Sequence, residues 1–412
     1  MFDVNKIKND FPMFKNNKEM QGKNFVYFDN ASTTFKPQSV IEKINKYYTS
    51  ECVNSHRGDY DIAHKVDEQV LKTRRNVAKF INANVNEVVF TSGATMSLNL
   101  IARGYGEKFL NKGDEILINE AEHASDVLPW FEIARKKGLV VKFIPLDKKG
   151  RITLDSIKAC VTDKTKIISI AQVSNVLGYK NDVKEICSFA HSKSIIVCVD
   201  GAQSVPHMKV DVKDIDCDFL IFSAHKMCGP TGIGILYGKY NLLNEMDSFL
   251  VGGGDNITFD LGCSVSYLNP PEKFEAGTLN LAGIYGLDAA IDYINSIGIE
   301  NIEKYETELR EYAISKLEKN QNLIIYNKDA DSGIITLNYK GVFAQDEATY
   351  LNSKGICVRS GQHCAKLLTN FLNANATVRI SMYFYNTKDD VDILVEALEK
   401  GGDFLDAYFN WW

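Results

Sequence analysis

The sequence predicts an α/β fold: a large domain with a mostly parallel central sheet flanked by helices, followed by a smaller α+β domain. Through the middle of the chain, short β-branched apolar runs alternate with segments whose apolar spacing fits helices. The runs are apolar on both faces, as a sheet covered by helices on both sides requires. Near residue 291 the alternation gives way to a long charged helical stretch. A chain of 412 residues can also bury a large core.

The central sheet is predicted from seven runs that end in turns or polar residues. They are Glu87–Thr91, Glu115–Asn119, Val140–Ile144, Lys166–Ile170, Ser194–Asp200, Cys217–Ser223 and Gly232–Tyr237. Helices are predicted between them over Met96–Leu110 and Val127–Lys137, where apolar residues recur at helical spacing.

The smaller domain is predicted from a helical stretch up to Lys319, the runs Gly333–Leu337 and Thr377–Ser381, and a helix from Lys388. We expect the large domain to cover residues 24–293. The small domain would cover residues 294–412, together with residues 1–23, and would carry Cys364.

Charge and cysteine content narrow the class of protein. The formal net charge is -6, which gives no reason to expect nucleic acid or an anionic membrane as partner. We see neither a signal peptide nor a run of about 18 uncharged apolar residues. The nine cysteines include no C-x-x-C pair, which argues against a disulfide framework or a zinc site. We therefore expect a cytoplasmic protein without a metal site.

Two predicted strands end in residues that suit pyridoxal 5'-phosphate (PLP). Asp200 ends one strand, and Lys226 follows the next in Phe222-Ser-Ala-His-Lys226. Ligands of open parallel sheets bind outside the carboxyl ends of the strands. There, Lys226 could carry PLP as a Schiff base, with Asp200 as partner of the pyridinium nitrogen.

Three other segments follow strands but also have ordinary explanations. Thr91-Ser-Gly-Ala-Thr95 opens a helical stretch and could bind a phosphate, or simply cap the helix. His123 could stack on a cofactor and move protons, or be a surface loop residue. The amide of Asn175 could bind cofactor or substrate, although an Asn-containing turn is the simpler explanation.

The predicted small domain contributes two arginines and one reactive cysteine. Arg359 and Arg379 could each hold a carboxylate through a forked guanidinium, although most arginines are solvated or structurally paired. Cys364 lies in a polar turn after the run Gly355–Val358, beside His363, and this placement favours reactivity over packing.

Taken together, these residues resemble the Suf-type cysteine desulfurases, within the PLP-dependent fold type I (class V aminotransferase) superfamily. The resemblance runs from Tyr27-Phe-Asp-Asn-Ala-Ser-Thr-Thr to Arg379-Ile-Ser-Met-Tyr-Phe-Tyr-Asn-Thr. Its most specific segments are Asp200-Gly-Ala-Gln, Ser223-Ala-His-Lys-Met-Cys-Gly-Pro-Thr-Gly-Ile-Gly, Phe274-Glu-Ala-Gly-Thr-Leu-Asn and Arg359-Ser-Gly-Gln-His-Cys-Ala.

The resemblance implies a role for each matching position. Lys226 would carry PLP and move the α-proton, Asp200 would hold the ring nitrogen protonated, Gln203 would bind the ring hydroxyl, and His123 would stack over the ring. Phosphate binding is implied for Thr95, Ser223, His225 and, from the other subunit of a homodimer, Thr278. Asn175 and Arg379 would hold the substrate carboxylate, with Arg359 nearby. Cys364 would take the sulfur of L-cysteine as a persulfide and release L-alanine.

The same resemblance implies that the sulfur passes to an acceptor protein for iron–sulfur cluster assembly. Two alternatives stay open: a selenocysteine lyase on the same scaffold, and a catalytically silent PLP-fold protein that serves as a binding partner. Retention of Lys226, Asp200 and Cys364 argues against the silent protein. An aminotransferase proper has no use for a cysteine in a loop.

Overall fold

The structure is a computed structural model that describes residues 2–56 and 58–400. Its strands are β1 Glu19–Met20, β2 Lys23–Asn24, β3 Val26–Tyr27, β4 Val88–Thr91, β5 Glu115–Asn119, β6 Val140–Ile144, β7 Thr165–Ala171, β8 Ile196–Asp200, β9 Phe219–Ser223, β10 Gly234–Gly238, β11 Asn256–Phe259, β12 Val265–Tyr267, β13 Leu323–Ile325, β14 Ile334–Tyr339, β15 Ile356–Cys357, β16 Arg359–Gly361 and β17 Thr377–Ser381.

The helices are α1 Val4–Lys8, α2 Pro12–Asn16, α3 Gln38–Ser50, α4 Asp61–Phe80, α5 Ala94–Leu100, α6 Glu107–Phe109, α7 Ala124–Lys137, α8 Leu154–Cys160, α9 Val183–His191, α10 Val212–Ile215, α11 Tyr240–Glu245, α12 Leu281–Ile297, α13 Ile299–Leu317, α14 Ala344–Ser353, α15 Leu368–Leu372 and α16 Lys388–Glu399. Among the described helices, none combines the length and the apolarity that crossing a membrane requires.

The seven runs predicted for the central sheet all form strands, with ends within two residues of the prediction. They are arranged in the order β4-β10-β9-β8-β7-β5-β6. The pairs β5–β6, β5–β7, β7–β8 and β8–β9 are parallel, whereas β10 runs antiparallel to β4 and β9. The predicted mostly parallel sheet is therefore confirmed, and the carboxyl ends of β4, β5, β7, β8 and β9 lie at one edge.

Helices cover both faces of this sheet. Leu220 of β9 packs into a core with Val66 of α4 and Ile284 of α12. The next residue, Ile221, points to the opposite face, into a core with Trp130 of α7. Because successive side chains of a strand alternate between faces, a sheet buried on both sides needs apolar residues at every position.

The helix predicted over Met96–Leu110 is present but not regular. It consists of α5, a π-helical segment from Ile101 to Gly106, and α6. At Gly104 a Cβ atom would come within 2.3 Å of the carbonyl oxygen of Asp247, and the Gly104 carbonyl accepts from the Asp247 amide at 3.1 Å. This close approach of two backbones requires glycine at a point where the α-helical pattern is interrupted.

A second, antiparallel sheet lies in the C-terminal part of the chain, in the order β13-β14-β17-β16. Here the sequence prediction is incomplete, because it recognised neither edge strand, Leu323–Ile325 or Arg359–Gly361. The register places Arg359 directly opposite Arg379 on β17. The predicted domain boundary at residue 293 falls inside α12 and stays a prediction. Residues 401–412, which the sequence prediction assigned to the small domain, lie outside the described residues.

Candidate active site

A polar cavity of about 220 Å³ lies at the carboxyl edge of the central sheet, where it meets β16 and β17. Ten residues singled out in the sequence line it: Thr95, His123, Asn175, Asp200, Gln203, Ser223, His225, Lys226, Arg359 and Arg379. Each of the first eight follows or ends a strand of the parallel set. The convergence of strand ends that the sequence predicted is therefore present, whereas the roles of the individual residues stay predictions.

Lys226 and Asp200 enter this cavity from neighbouring strands. Lys226 ends the single 3-10 turn Ala224–Lys226 that follows β9, and Asp200 is the last residue of β8. Burial lowers the pKa of Lys226 to about 8, although Asp200 acts in the opposite direction. Burial also raises the pKa of Asp200, and Lys226 opposes that shift. Each charge thus partly compensates the desolvation of the other.

Two further acids are buried close enough to Asp200 to interact with its charge, and sequence reasoning missed both. The carboxylate of Glu122 accepts from the backbone amide of Ala171, the end residue of β7, at 3.0 and 3.1 Å. Asp126 Oδ1 accepts from Ser169 Oγ at 2.5 Å. Burial raises the pKa of both carboxyls well above the usual range. These bonds attach the start of α7, and with it His123, to the neighbouring strand.

His123 is the N-cap of α7. Its Nδ1 accepts from the backbone amide of Ser125 at 3.1 Å, so the ring proton lies on Nε2 in the neutral form. Burial, with the nearby charges of Lys226 and Arg359, lowers the pKa of His123 to about 4. The ring is therefore neutral at pH 7, and it can donate a hydrogen bond from Nε2.

The residues predicted to bind phosphate lie at the β4 and β9 end of the cavity. Ser223 Oγ accepts from the backbone amide of Ala94 at 2.8 Å, and Thr95 Oγ1 lies 2.8 Å from Ser125 Oγ. Burial lowers the pKa of His225 to about 4, so this ring too is neutral at pH 7. Three side chains with donor capacity therefore line this end.

Arg359 and Arg379 converge on one hydroxyl. Arg359 Nη1 donates to Ser32 Oγ at 3.0 Å, and Arg379 Nη2 donates to the same atom at 2.8 Å. Arg379 also contacts Asp29 Oδ1 at 3.1 Å and donates to the Asn175 carbonyl at 2.9 Å. Ser32 and Asp29 were not assigned a role from the sequence. The only signal for them was the small polar segment Asp29-Asn-Ala-Ser-Thr-Thr after β3.

The Cys364 side chain is exposed, and its Sγ lies 3.3 Å from Arg359 Nη2. Because Arg359 lines the cavity, the thiol lies next to a cavity-lining residue. The ring of the preceding residue, His363, is buried, and its Nε2 lies 2.9 Å from Thr377 Oγ1.

The family to which this arrangement belongs follows from comparison with known proteins. The family model described as aminotransferase class-V matches residues 26–394. The chain belongs to the class V aminotransferase family. A protein of Halalkalibacterium halodurans named "probable cysteine desulfurase" is 41% identical over 408 residues, which is 99% of this chain and 100% of that protein.

Two solved structures are similar to this member of the class V family over nearly its whole length. The cysteine desulfurase CsdA of Escherichia coli, in an S-sulfonic acid form, matches with a TM-score of 0.90 and 34% identity, covering 98% of this chain and 99% of that chain. The apo cysteine desulfurase of Thermococcus onnurineus matches with a TM-score of 0.91 and 35% identity, covering 96% and 97%. The class V, fold type I architecture expected from the sequence is confirmed.

Among the described residues of this class V protein, two buried polar atoms at the cavity have no hydrogen-bond partner. They are Gln203 Oε1 and Arg379 Nε. A buried polar group without a partner is costly, so such atoms usually mark a ligand or water position. Together with Lys226, Asp200 and the donor side chains near β4 and β9, they fit a phosphorylated, aromatic, carbonyl-bearing ligand such as PLP.

The other cysteines near the site are less suited to chemistry than Cys364. Cys357 on β15 is half-buried, and burial raises the pKa of its thiol to about 11. Cys228 is buried, and burial raises the pKa of its thiol to about 12.

Thr278 is exposed and does not line the cavity of its own chain.

Proposed function

We propose that this chain is a PLP-dependent cysteine desulfurase, which converts L-cysteine to L-alanine and holds the sulfur as a persulfide on Cys364. One observation carries the proposal: the exposed thiol of Cys364 lies 3.3 Å from Arg359, which lines the same cavity as Lys226 and Asp200. The names of the similar proteins support the same activity.

PLP would be held by Lys226 through its Nζ, by Asp200 at the ring nitrogen, by Gln203 at the ring hydroxyl, and by Thr95, Ser223 and His225 at the phosphate. When bound, PLP supplies an electron sink that makes the α-proton of an amino acid removable and weakens its bond from Cβ to sulfur. His123 would lie against the ring. As a neutral group it would not repel a protonated pyridine nitrogen.

Arg379 and Asn175 would bind the substrate carboxylate. Arg379 is almost completely buried, and burial lowers its pKa to about 10, so it stays charged at neutral pH. Its position is fixed by Asp29, Ser32 and the Asn175 carbonyl, so little ordering is needed when a carboxylate arrives. Nε, which has no partner, is free to donate to that carboxylate.

Lys226 Nζ is the base that we propose for the α-proton. With a pKa of about 8, a substantial fraction of the Lys226 side chains carries a neutral amine at pH 7 to 8, and this amine can accept a proton. An exposed lysine, with a pKa near 10.4, would be almost fully protonated at that pH.

The sulfur step joins Cys364 Sγ to the substrate sulfur. The Cys364 thiolate attacks that sulfur, the bond from sulfur to Cβ breaks, and its electron pair stays with the carbon fragment. The fragment takes up a proton at Cβ and leaves as alanine. L-cysteine and the thiol thus give L-alanine and a persulfide, and no external oxidant or reductant is consumed. Arg359 Nη2 lies 3.3 Å from the attacking Sγ atom.

A homodimer with shared sites is part of this proposal. The hairpin β11–β12 carries exposed apolar side chains, among them Ile257, Phe259 and Leu261, and exposed apolar patches are typical of protein interfaces. The Gly277 amide donates to the Gly253 carbonyl at 2.8 Å, so Thr278 lies close to the start of this hairpin. Thr278 of the partner subunit would then complete the phosphate site. We also propose a cytoplasmic location and a protein acceptor for the sulfur, used in iron–sulfur cluster assembly.

The test is an absorbance spectrum of the purified protein, followed by addition of L-cysteine with alanine and sulfide assayed. We expect a visible absorbance band from bound PLP and, in the presence of a thiol reductant, alanine and sulfide in equal amounts. Failure to form alanine from cysteine in the PLP-loaded protein would refute the proposed function.

A further inference from the structure

The loop that carries Cys364 contains two consecutive residues in an unfavourable backbone conformation. His363 has φ +51 and Cys364 has φ +59, in the left-handed region that residues other than glycine rarely adopt. Such a conformation persists only where the surrounding structure holds it in place. Contacts with the surrounding residues must therefore hold the loop in this conformation.

Two hydrogen bonds hold the backbone of these residues against the large sheet. Asn175 Nδ2 donates to the His363 carbonyl at 2.8 Å, and the Ala124 amide donates to the Cys364 carbonyl at 2.6 Å. Both donors belong to the edge that lines the cavity, because Asn175 lines it and Ala124 follows His123.

A third attachment is made by the side chain of His363. His363 is 2% exposed, and its Nε2 lies 2.9 Å from Thr377 Oγ1 and 3.0 Å from the Thr377 carbonyl. Thr377 is the first residue of β17, the strand that also carries Arg379. Burial lowers the pKa of His363 to about 3, so the ring is neutral at pH 7 and donates from Nε2. The thiol of the next residue nevertheless stays exposed.

We infer that His363 is a positioning residue for sulfur transfer: its ring, bonded to Thr377, fixes the loop so that Cys364 Sγ stays beside Arg359 at the mouth of the cavity. The ring acts as an anchor and not as an acid or base, because Nε2 is used by Thr377 and Nδ1 is buried. This inference deepens the proposed function and rests on it for the catalytic part of the test.

The first measurement does not depend on catalysis. Iodoacetamide alkylation of Cys364 is followed by mass spectrometry of its peptide in the wild type, His363→Leu, Thr377→Val and the control Gln362→Ala, which changes an exposed side chain of the same loop. With the anchor removed, we expect the alkylation rate of Cys364 to change at least threefold in His363→Leu and about twofold in Thr377→Val, which keeps the carbonyl acceptor. Gln362→Ala should match the wild type. Unchanged rates in both anchor variants would overturn the inference.

The second measurement separates positioning from a general loss of structure. In the PLP-loaded His363→Leu protein, we expect kcat for alanine formation to fall at least tenfold, with the KM for L-cysteine within twofold and the visible absorbance unchanged. His363→Gln, whose amide can donate in place of Nε2, should recover kcat to within threefold of the wild type. A wild-type kcat in His363→Leu, or a loss that His363→Gln does not restore, would contradict the inference.

If His363→Leu does not fold, both measurements rely on Thr377→Val. We expect its kcat to be two- to fivefold lower than that of the wild type, and an unchanged kcat would contradict the inference. If the wild type forms no alanine, the proposed function fails and the alkylation result alone decides on the anchor.

Discussion

Arg359 and Arg379 lie directly opposite each other on β16 and β17, and both guanidinium groups donate to Ser32 Oγ. Two like charges at this spacing repel each other, so the pair is stable only with acceptors between them. Ser32 and Asp29 supply these acceptors in the structure. An incoming carboxylate would supply a stronger one, which makes the pair suited to an amino-acid substrate.

The first prediction concerns Arg379. Arg379→Lys keeps the charge but loses the fork and the unpartnered Nε, so we expect the KM for L-cysteine to rise about tenfold or more. Steady-state kinetics would check this, with Arg135→Lys as a matched control, because the Arg135 side chain is 79% exposed. A KM equal to that of the wild type would show that Arg379 does not bind the carboxylate.

The second prediction concerns Lys226. Lys226→Ala should lose the visible absorbance band of the covalently held cofactor and all alanine formation, because no other group of the site can form the same bond. The exposed Lys184 provides the control, and Lys184→Ala should behave as the wild type. Continued desulfuration by Lys226→Ala would show that the base and the attachment site lie elsewhere.

The clustering of the strand-end residues could be predicted from the sequence, whereas the facing of the two arginines could not. Asp200 and Lys226 follow apolar runs that are recognisable one strand at a time, and parallel strands bring their ends to one edge. The facing of Arg359 and Arg379 depends instead on the register of β16, a three-residue edge strand of polar composition. Similarly, the orientation of the His363 ring depends on Thr377, a contact across fourteen residues that no local pattern encodes.

The third prediction is a dependence of stability on pH that originates in His363. Its folded-state pKa of about 3 lies below the unfolded value, near 6.5. The stability that the neutral His363 ring contributes to the folded protein is therefore fully present above pH 6.5. It is lost as the pH falls toward 3, because the unfolded chain takes up the proton first. At pH 4.5 this loss amounts to about 2.5 kcal/mol.

His363→Gln, which cannot titrate, should lose correspondingly less free energy of unfolding between pH 6.5 and pH 4.5. Urea unfolding of both proteins at the two pH values would measure the difference. Equal losses in the two proteins would show that the His363 ring is not buried in the neutral form.

The fourth prediction concerns the shared site. If Thr278 of the partner subunit completes each phosphate site, a dimer of one Lys226→Ala chain and one Thr278→Glu chain contains one intact site. Co-expression of the two inactive variants should then restore about a quarter of the wild-type activity, since about half of the dimers are mixed. Thr278→Glu by itself should lose cofactor, because its carboxylate repels a phosphate.

Sedimentation equilibrium of the wild type provides the control for this experiment and should give a dimer. Mixed subunits without any recovered activity, or a fully active monomer, would contradict the shared site.

The central claim is that Cys364 receives the sulfur of L-cysteine. The most direct measurement is mass spectrometry of the protein after treatment with L-cysteine in the absence of reductant, with Cys364→Ala treated in parallel. We predict one added sulfur atom on the peptide that contains Cys364, and a Cys364→Ala protein that keeps its cofactor but forms almost no alanine or sulfide. An added sulfur on Cys228 or Cys357, together with full activity of Cys364→Ala, would contradict the account.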